Sequence, residues 1–268
     1  LCVYIGPIVR RDWLDDLGLD IPETIDDWDV MLQAFKDKKG AAAPLAFNTV
    51  FLESGPFCGA YGVTKDYYLN DEGNVTYGPA EPGFKNFLQK MNDWYNRGLL
   101  DTNFAVSDSQ IIDGYMLNNK SGASVGYAGG NIGSWLDGKK EKNFDLVGVP
   151  YPVMKKGDRP MFGSREWEYI PGASVSISAT CKNKELAVRF LDWGYSEAGK
   201  LAYNYGVEGK SYEIIDGKPK FTGYVTNNSE GNTLNDMIAL WGLSSNNAPT
   251  VQERTVVDTQ RKYQQQRD

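Results

Sequence analysis

The stretch "EPGFKNFLQKMNDWYNRGLLD", residues 81–101, constrains the fold of this chain most strongly. Phe84, Phe87, Leu88, Met91, Trp94 and Tyr95 recur at spacings of three and four, which predicts a helix with one apolar face. Gly98 ends it, because glycine enters the left-handed region without a Cβ penalty. Such a face has to lie on a second layer. Short apolar runs supply one: "APLAFN" (43–48), "SGASVGY" (121–127) and "FDLVGVPYPV" (144–153) read as buried strands. Helices alternating with short strands put the chain in the α/β class, as a mixed sheet with flanking helices.

The other elements are read from their punctuation. Cys2–Ile5 reads as the end of a strand, and Asp12–Leu17 as a short helical turn closed by Gly18. Ile21 precedes Pro22 and is therefore extended. Thr24 with Asp27 three residues on forms a capping box for a second helix. That helix buries Ile25, Trp28, Leu32 and Phe35 and gathers Lys36, Lys38 and Lys39 at its carboxyl end. Asp12 and Asp15 read as surface residues. "DYYLNDEGNVTYG" is a hairpin turning at Asp71–Asn74, and "YEIIDGKPKFT" is another around Asp216-Gly217. Ser107–Asn118 is a helix, and "YIPGASVSISA" an alternating strand. Two helices follow, capped by Asn183 and Ser196 and stopped at Gly206. A polar helix covers residues 250–266.

Composition removes several classes of chemistry. The chain contains no histidine, so histidine-dependent triads and histidine–metal sites are absent. The formal charge of −7 leaves no basic surface for nucleic acid. No apolar run is long enough to span a bilayer. The three cysteines, Cys2, Cys58 and Cys181, are an odd set without a C-x-x-C spacing, so no disulfide framework is expected. Cys2 leads into apolar Val3-Tyr4-Ile5 and reads as a buried strand cysteine. Aromatic residues make up 13% of the chain, including 7 Trp and 16 Tyr. Each combines an apolar face with a polar tip, a pairing suited both to cores and to sugar-like ligands.

Four short motifs invite chemistry. "GVEGKSYE" contains Gly-Lys-Ser, but a phosphate-binding P-loop needs glycine at position 204, where Asn204 stands. "LNDEGN" lacks the alternating acidic order of a calcium loop and reads as a hairpin tip. "GYAGGNIGSW" follows a strand and opens a helix, so its backbone can approach ligand oxygens; a plain tight turn fits equally. "GSREWEY" groups Arg165, Glu166 and Trp167 with Glu168, either a polar recognition cluster or a solvated loop. The 35 acidic residues include no pair that spacing marks for glycoside hydrolysis.

Four stretches together resemble the extracellular solute-binding proteins of carbohydrate ABC importers, the family that includes maltose-binding protein. They are "RRDWLDDLGLDIPETIDDWDVMLQAF", "GFKNFLQKMNDWYNRGLLDTNF", "YMLNNKSGASVGYAGGNIGSW" and "SISATCKNKELAVRFLDWGYSEAGKLAYNYGVEGKSYE". The last, with its "NYG-x-EG-x-x-Y" ending, is the most specific. The resemblance implies a periplasmic-binding-protein-like type II fold of two α/β lobes closing on a solute. It implies that this chain holds one lobe plus part of the other: residues 1–165 as the second lobe, and 166–268 as the return crossing with part of the first.

By position in those motifs, the resemblance implies ligand contacts at Asn48, Phe57, Gly130, Asn131, Trp135, Arg165, Glu166, Trp167 and Glu208. The Gly-rich loop has no Trp directly after its glycines, where some members stack a sugar; Trp135 or Trp167 stand in. The implied function is binding without turnover and without a cofactor. The implied partners are a carbohydrate ligand and permease subunits, with contact to the membrane only through a lipid anchor outside the chain, on the surface of a Gram-positive bacterium. The competing readings are a carboxylate-based glycosidase and a receptor for peptides or other small solutes. Removal of one lobe would bare apolar surface, so the isolated chain is expected to associate.

Overall fold

The computed structural model describes residues 5–49, 55–127, 130–161, 175–230, 232 and 234–242. The chain divides into two compact units, Leu1–Glu166 with Tyr263–Asp268, and Trp167–Lys262.

The first unit is built on a three-stranded antiparallel sheet. Strand β1 (Ile5–Arg10) lies at its centre, β4 (Ala123–Tyr127) on one side and β5 (Leu146–Gly148) on the other. The registers pair Ile5 with Tyr127 and Val9 with Val147. Helix α1 (Arg11–Leu17) follows β1 directly, and Gly18 closes it at φ 62°. Helix α2 (Ile25–Lys39) starts at the Thr24–Asp27 capping box, with both reciprocal bonds formed, and its last turn carries Lys36, Lys38 and Lys39. Residues 67–69 (β2) and 75–77 (β3) form the expected hairpin. Helix α3 (Pro82–Asn96) buries Phe87, Met91 and Trp94 but leaves Leu88 and Tyr95 exposed. Helix α4 (Ser109–Leu117) is capped by the Asp108 side chain, and α5 (Asn131–Gly138) follows β4.

Three expectations shift. The first strand runs from Ile5 to Arg10 rather than ending at Ile5. It passes through Pro7, whose carbonyl accepts from Val149 N–H at 3.0 Å but which has no N–H to return the bond; β5 ends at Gly148, just before this position. "APLAFN" is not a full strand: Leu45 makes single parallel bridges to Leu100 and Ala123. Asp12 is not a free surface carboxylate. It takes two hydrogen bonds from the fully buried Arg10 guanidinium, at 2.8 and 2.6 Å. Cys2 and the helix expected over 250–266 lie outside the described residues. So does most of "YIPGASVSISA", whose described end, 175–179, is not strand.

The core of this unit is aromatic: Trp28, Phe35, Phe47, Phe57 and Trp94 are all fully buried. Helices α2 and α3 are locked together at its edge by Asp29. Its carboxylate accepts from Arg97 at 2.8 and 3.0 Å, from Trp94 Nε1 at 2.7 Å and from Lys90 at 3.2 Å. Burial raises the pKa of Asp29, but the bonds from Arg97, Trp94 and Lys90 outweigh burial and hold it at about 2. A group depressed in this way stabilises the fold above its unfolded value of 3.8 and loses that contribution as pH falls through about 2. We therefore expect about 2 kcal/mol of acid-sensitive stability from this residue. Asp29→Asn should flatten the pH dependence of the denaturation midpoint in that window. An unchanged profile would show that the cluster contributes nothing.

The second unit contains α6 (Lys184–Trp193), α7 (Glu197–Tyr205), the hairpin β6 (Tyr212–Ile215) and β7 (Lys218–Phe221), and helices α8 (Gly223–Thr226) and α9 (Leu234–Trp241). Ser196 caps α7 through its hydroxyl; Asn183 precedes α6 but makes no side-chain cap bond. Tyr205, Tyr212, Val225, Met237 and Ile238 form a small core. Leu186, Phe190 and Trp193, one stripe of α6, are exposed.

Candidate functional site

One rim of the first sheet gathers the polar candidates. The segment around Leu45 runs parallel to β4, and Ala46 N–H donates to the Ala123 carbonyl at 3.0 Å. Asn48, three residues beyond Leu45, and Tyr127, four beyond Ala123, therefore reach the same end of the sheet. Ile5, the first residue of antiparallel β1, is there too, and its carbonyl accepts from the Tyr151 hydroxyl. In α/β sheets, ligands bind outside the carboxyl ends of the strands.

Asn131, the first residue of α5, reaches back to the end of β4. Its side-chain oxygen accepts from Tyr127 N–H at 2.8 Å. Gly126 permits this contact, because a Cβ there would lie 2.6 Å from that same oxygen. Gly130 stands immediately before α5, whose first N–H groups have no partners within the helix. Tyr127 is 43% exposed at the end of a strand that is otherwise buried. Asn48, Gly130, Asn131 and Tyr151 are half-buried. The rim thus presents amides, phenols and backbone N–H groups, which suit the hydroxyls of a neutral ligand.

Two expected contacts sit elsewhere. Phe57 is 0% exposed, edge-on to Trp28 at 5.0 Å and to Trp94 at 5.7 Å, and stacked on Phe47. Trp135 is buried against Ile8, Met116 and Phe144, and its indole N–H donates to Asp113 at 2.6 Å. Both rings are core, without a free face for a sugar to stack on. Arg165, Glu166 and Trp167 lie outside the described residues. Glu208 belongs to the second unit and is exposed. Burial together with the Glu208 charge raises the pKa of Tyr212. The loop that carries Glu208 is held by Ser211 Oγ, which accepts from Val207 N–H at 2.7 Å and donates to the Tyr205 carbonyl at 2.6 Å. Tyr127 and Tyr151 stand at the same rim although the motifs of the sequence do not single them out. The available signal for Tyr127 was an aromatic closing an apolar strand directly before a glycine-rich turn; nothing local marks Tyr151. Among the described residues, no group of three His, Cys, Asp or Glu is placed to hold a metal ion.

The architecture is a mixed α/β fold with flanking helices, and solved structures share it. An alginate-binding protein, AlgQ2, superposes with a TM-score of 0.72 at 24% identity over 97% of this chain and 54% of its own. By that likeness the fold is the type II periplasmic-binding-protein fold. The model of the bacterial extracellular solute-binding protein family matches residues 3–201, and the chain belongs to that family. Lipoprotein LipO of Bacillus subtilis is 31% identical over 82% of the chain, and a carbohydrate ABC transporter substrate-binding protein of Streptococcus pneumoniae is 24% identical over 88%. The chain spans about half the length of these relatives, 46% and 47%.

Proposed function

We propose that this chain forms part of a receptor that captures an oligosaccharide outside the cell and delivers it, chemically unchanged, to an ABC permease. The observation that carries this reading is the rim at the carboxyl ends of the strands, where Asn48, Tyr127, Asn131 and Tyr151 converge in a member of a solute-binding family. Neutral amide and phenol groups of this kind bind sugar hydroxyls, and these four residues supply none of the paired carboxylates that glycoside hydrolysis uses. The carbohydrate-binding relatives named above support the ligand class. We assign residues 1–165 to the second lobe, and 166–268 to the return crossing and part of the first. The exposed stripe of α6 fits a lobe that is completed by further chain. Arg165, Glu166, Trp167 and Glu208 stay candidates for ligand contact. The receptor is held at the surface of a Gram-positive cell by a lipid anchor.

Asn131 offers the most local test. Asn131→Ala removes the bond from Tyr127 N–H and should weaken glycan binding roughly ten-fold, equivalent to about 1.4 kcal/mol. The thermal midpoint should move little, because the site is at the surface. Titration calorimetry and a melting curve on the same preparation separate the two effects. Unaltered affinity would remove Asn131 from the site.

A further inference from the structure

We propose that the β2–β3 hairpin is an outer contact for a long oligosaccharide whose inner residues occupy the rim; this rests on the reading just given. The hairpin lies in the crossover between two parallel segments, since Leu45 bridges Leu100 in parallel. Helix α3 leads into the second of these through Gly98, and Leu45 N–H donates to the Leu99 carbonyl at 2.9 Å. The helix therefore runs back against the strand direction, with its carboxyl end at the far side of the sheet and its amino end, at Pro82, on the side of the rim. The hairpin immediately precedes that amino end, so it stands beyond the carboxyl ends of the strands, on the side where Asn48 and Tyr127 lie.

Its outer face is apolar and uncovered. Tyr67 pairs with Tyr77, and Leu69 with Val75. The period of two puts all four on one face, with exposures of 71, 46, 69 and 72% respectively. The tyrosine rings lie 4.8 Å apart at 36°. The face is also rigidly mounted. Asn70 Oδ1 accepts from Glu72 and Asn74 N–H at the tip. At the base, Gly78 N–H donates to Asp66, and Gly78 sits so close to Thr64 that a Cβ would fall 1.7 Å from its carbonyl oxygen. A pre-ordered backbone lowers the ordering cost of binding to that of the side chains.

Four side chains are too few for a stable protein partner, which needs about 800 Å² from each side. They do match the width of a sugar ring, whose C–H face lies on an aromatic while its hydroxyls meet the phenols and the polar turn.

The test is titration of the longest available form of the protein with short and long members of the fructo-, malto- and alginate-oligosaccharide series. The Tyr67→Ala/Tyr77→Ala variant should bind long members roughly ten-fold more weakly and short members as the wild type does. Tyr67→Phe/Tyr77→Phe should retain most of the long-chain affinity. Equal binding of long members by variant and wild type, or equal weakening for short and long, overturns the proposal while leaving the receptor reading intact. A wild type that binds no sugar overturns both. A wild-type dimer in light scattering that the alanine variant abolishes would assign the face to a second copy and overturn the glycan contact.

Discussion

Replacing Arg10 with alanine should destabilise the first unit by about 3–5 kcal/mol, the cost of breaking a buried ion pair from one side. Arg10 is the last residue of the central strand, and its side chain is 0% exposed. The guanidinium grips both oxygens of Asp12 and donates to Asn119, which holds a positive φ of 58°. It lies 4.6 Å from the centre of the Trp13 ring and 4.1 Å from that of Phe144. One side chain thus ties the end of β1 to α1 and to the turn after α4. Removing it leaves the carboxylate of Asp12 largely buried without its partner and opens a gap between two rings. Arg10→Met/Asp12→Asn should recover part of the loss, because it fills the space and removes the stranded charge. Chemical denaturation followed by tryptophan fluorescence reads both. A midpoint unchanged in Arg10→Ala would show that the cluster is ornamental.

Phe57→Ala should cost a similar amount, about 3–5 kcal/mol, through the cavity left among Trp28, Phe47 and Trp94. This substitution separates two roles for the same ring. A core ring lowers stability and leaves the affinity of the folded protein as it was. A ring that touched ligand would lower affinity at nearly constant stability. The burial of Phe57 predicts the first outcome, and denaturation paired with calorimetry distinguishes them.

Local signals carried much of the fold. The Thr24–Asp27 box, the stops at Gly18 and Gly98, and the turns at residues 71–74 and 216–217 each use chemistry confined to a few neighbouring residues, and each is present in the structure. β1 runs on through Pro7, whose carbonyl still takes the bond from Val149 N–H. Asp12 reads as a surface residue; it pairs instead with Arg10, whose burial depends on Asn119 and Phe144, more than a hundred residues away.

The site was less legible for the same reason. Asn48 and Asn131 stand at a common rim only because Leu45 meets Ala123 in parallel. Phe57 and Trp135 have the composition of sugar-stacking residues, but their neighbours claim both faces of each ring. Tyr127 has the exposure they lack, and it is set by the point where β4 leaves the sheet rather than by the residue type.

The central claim is capture without turnover. The most direct measurement is titration calorimetry of the longest available form of the protein against a panel of oligosaccharides, with chromatography of each mixture after prolonged incubation. The account predicts saturable binding of at least one oligosaccharide and recovery of that sugar intact. Released monosaccharide, or no binding across the panel, would contradict it.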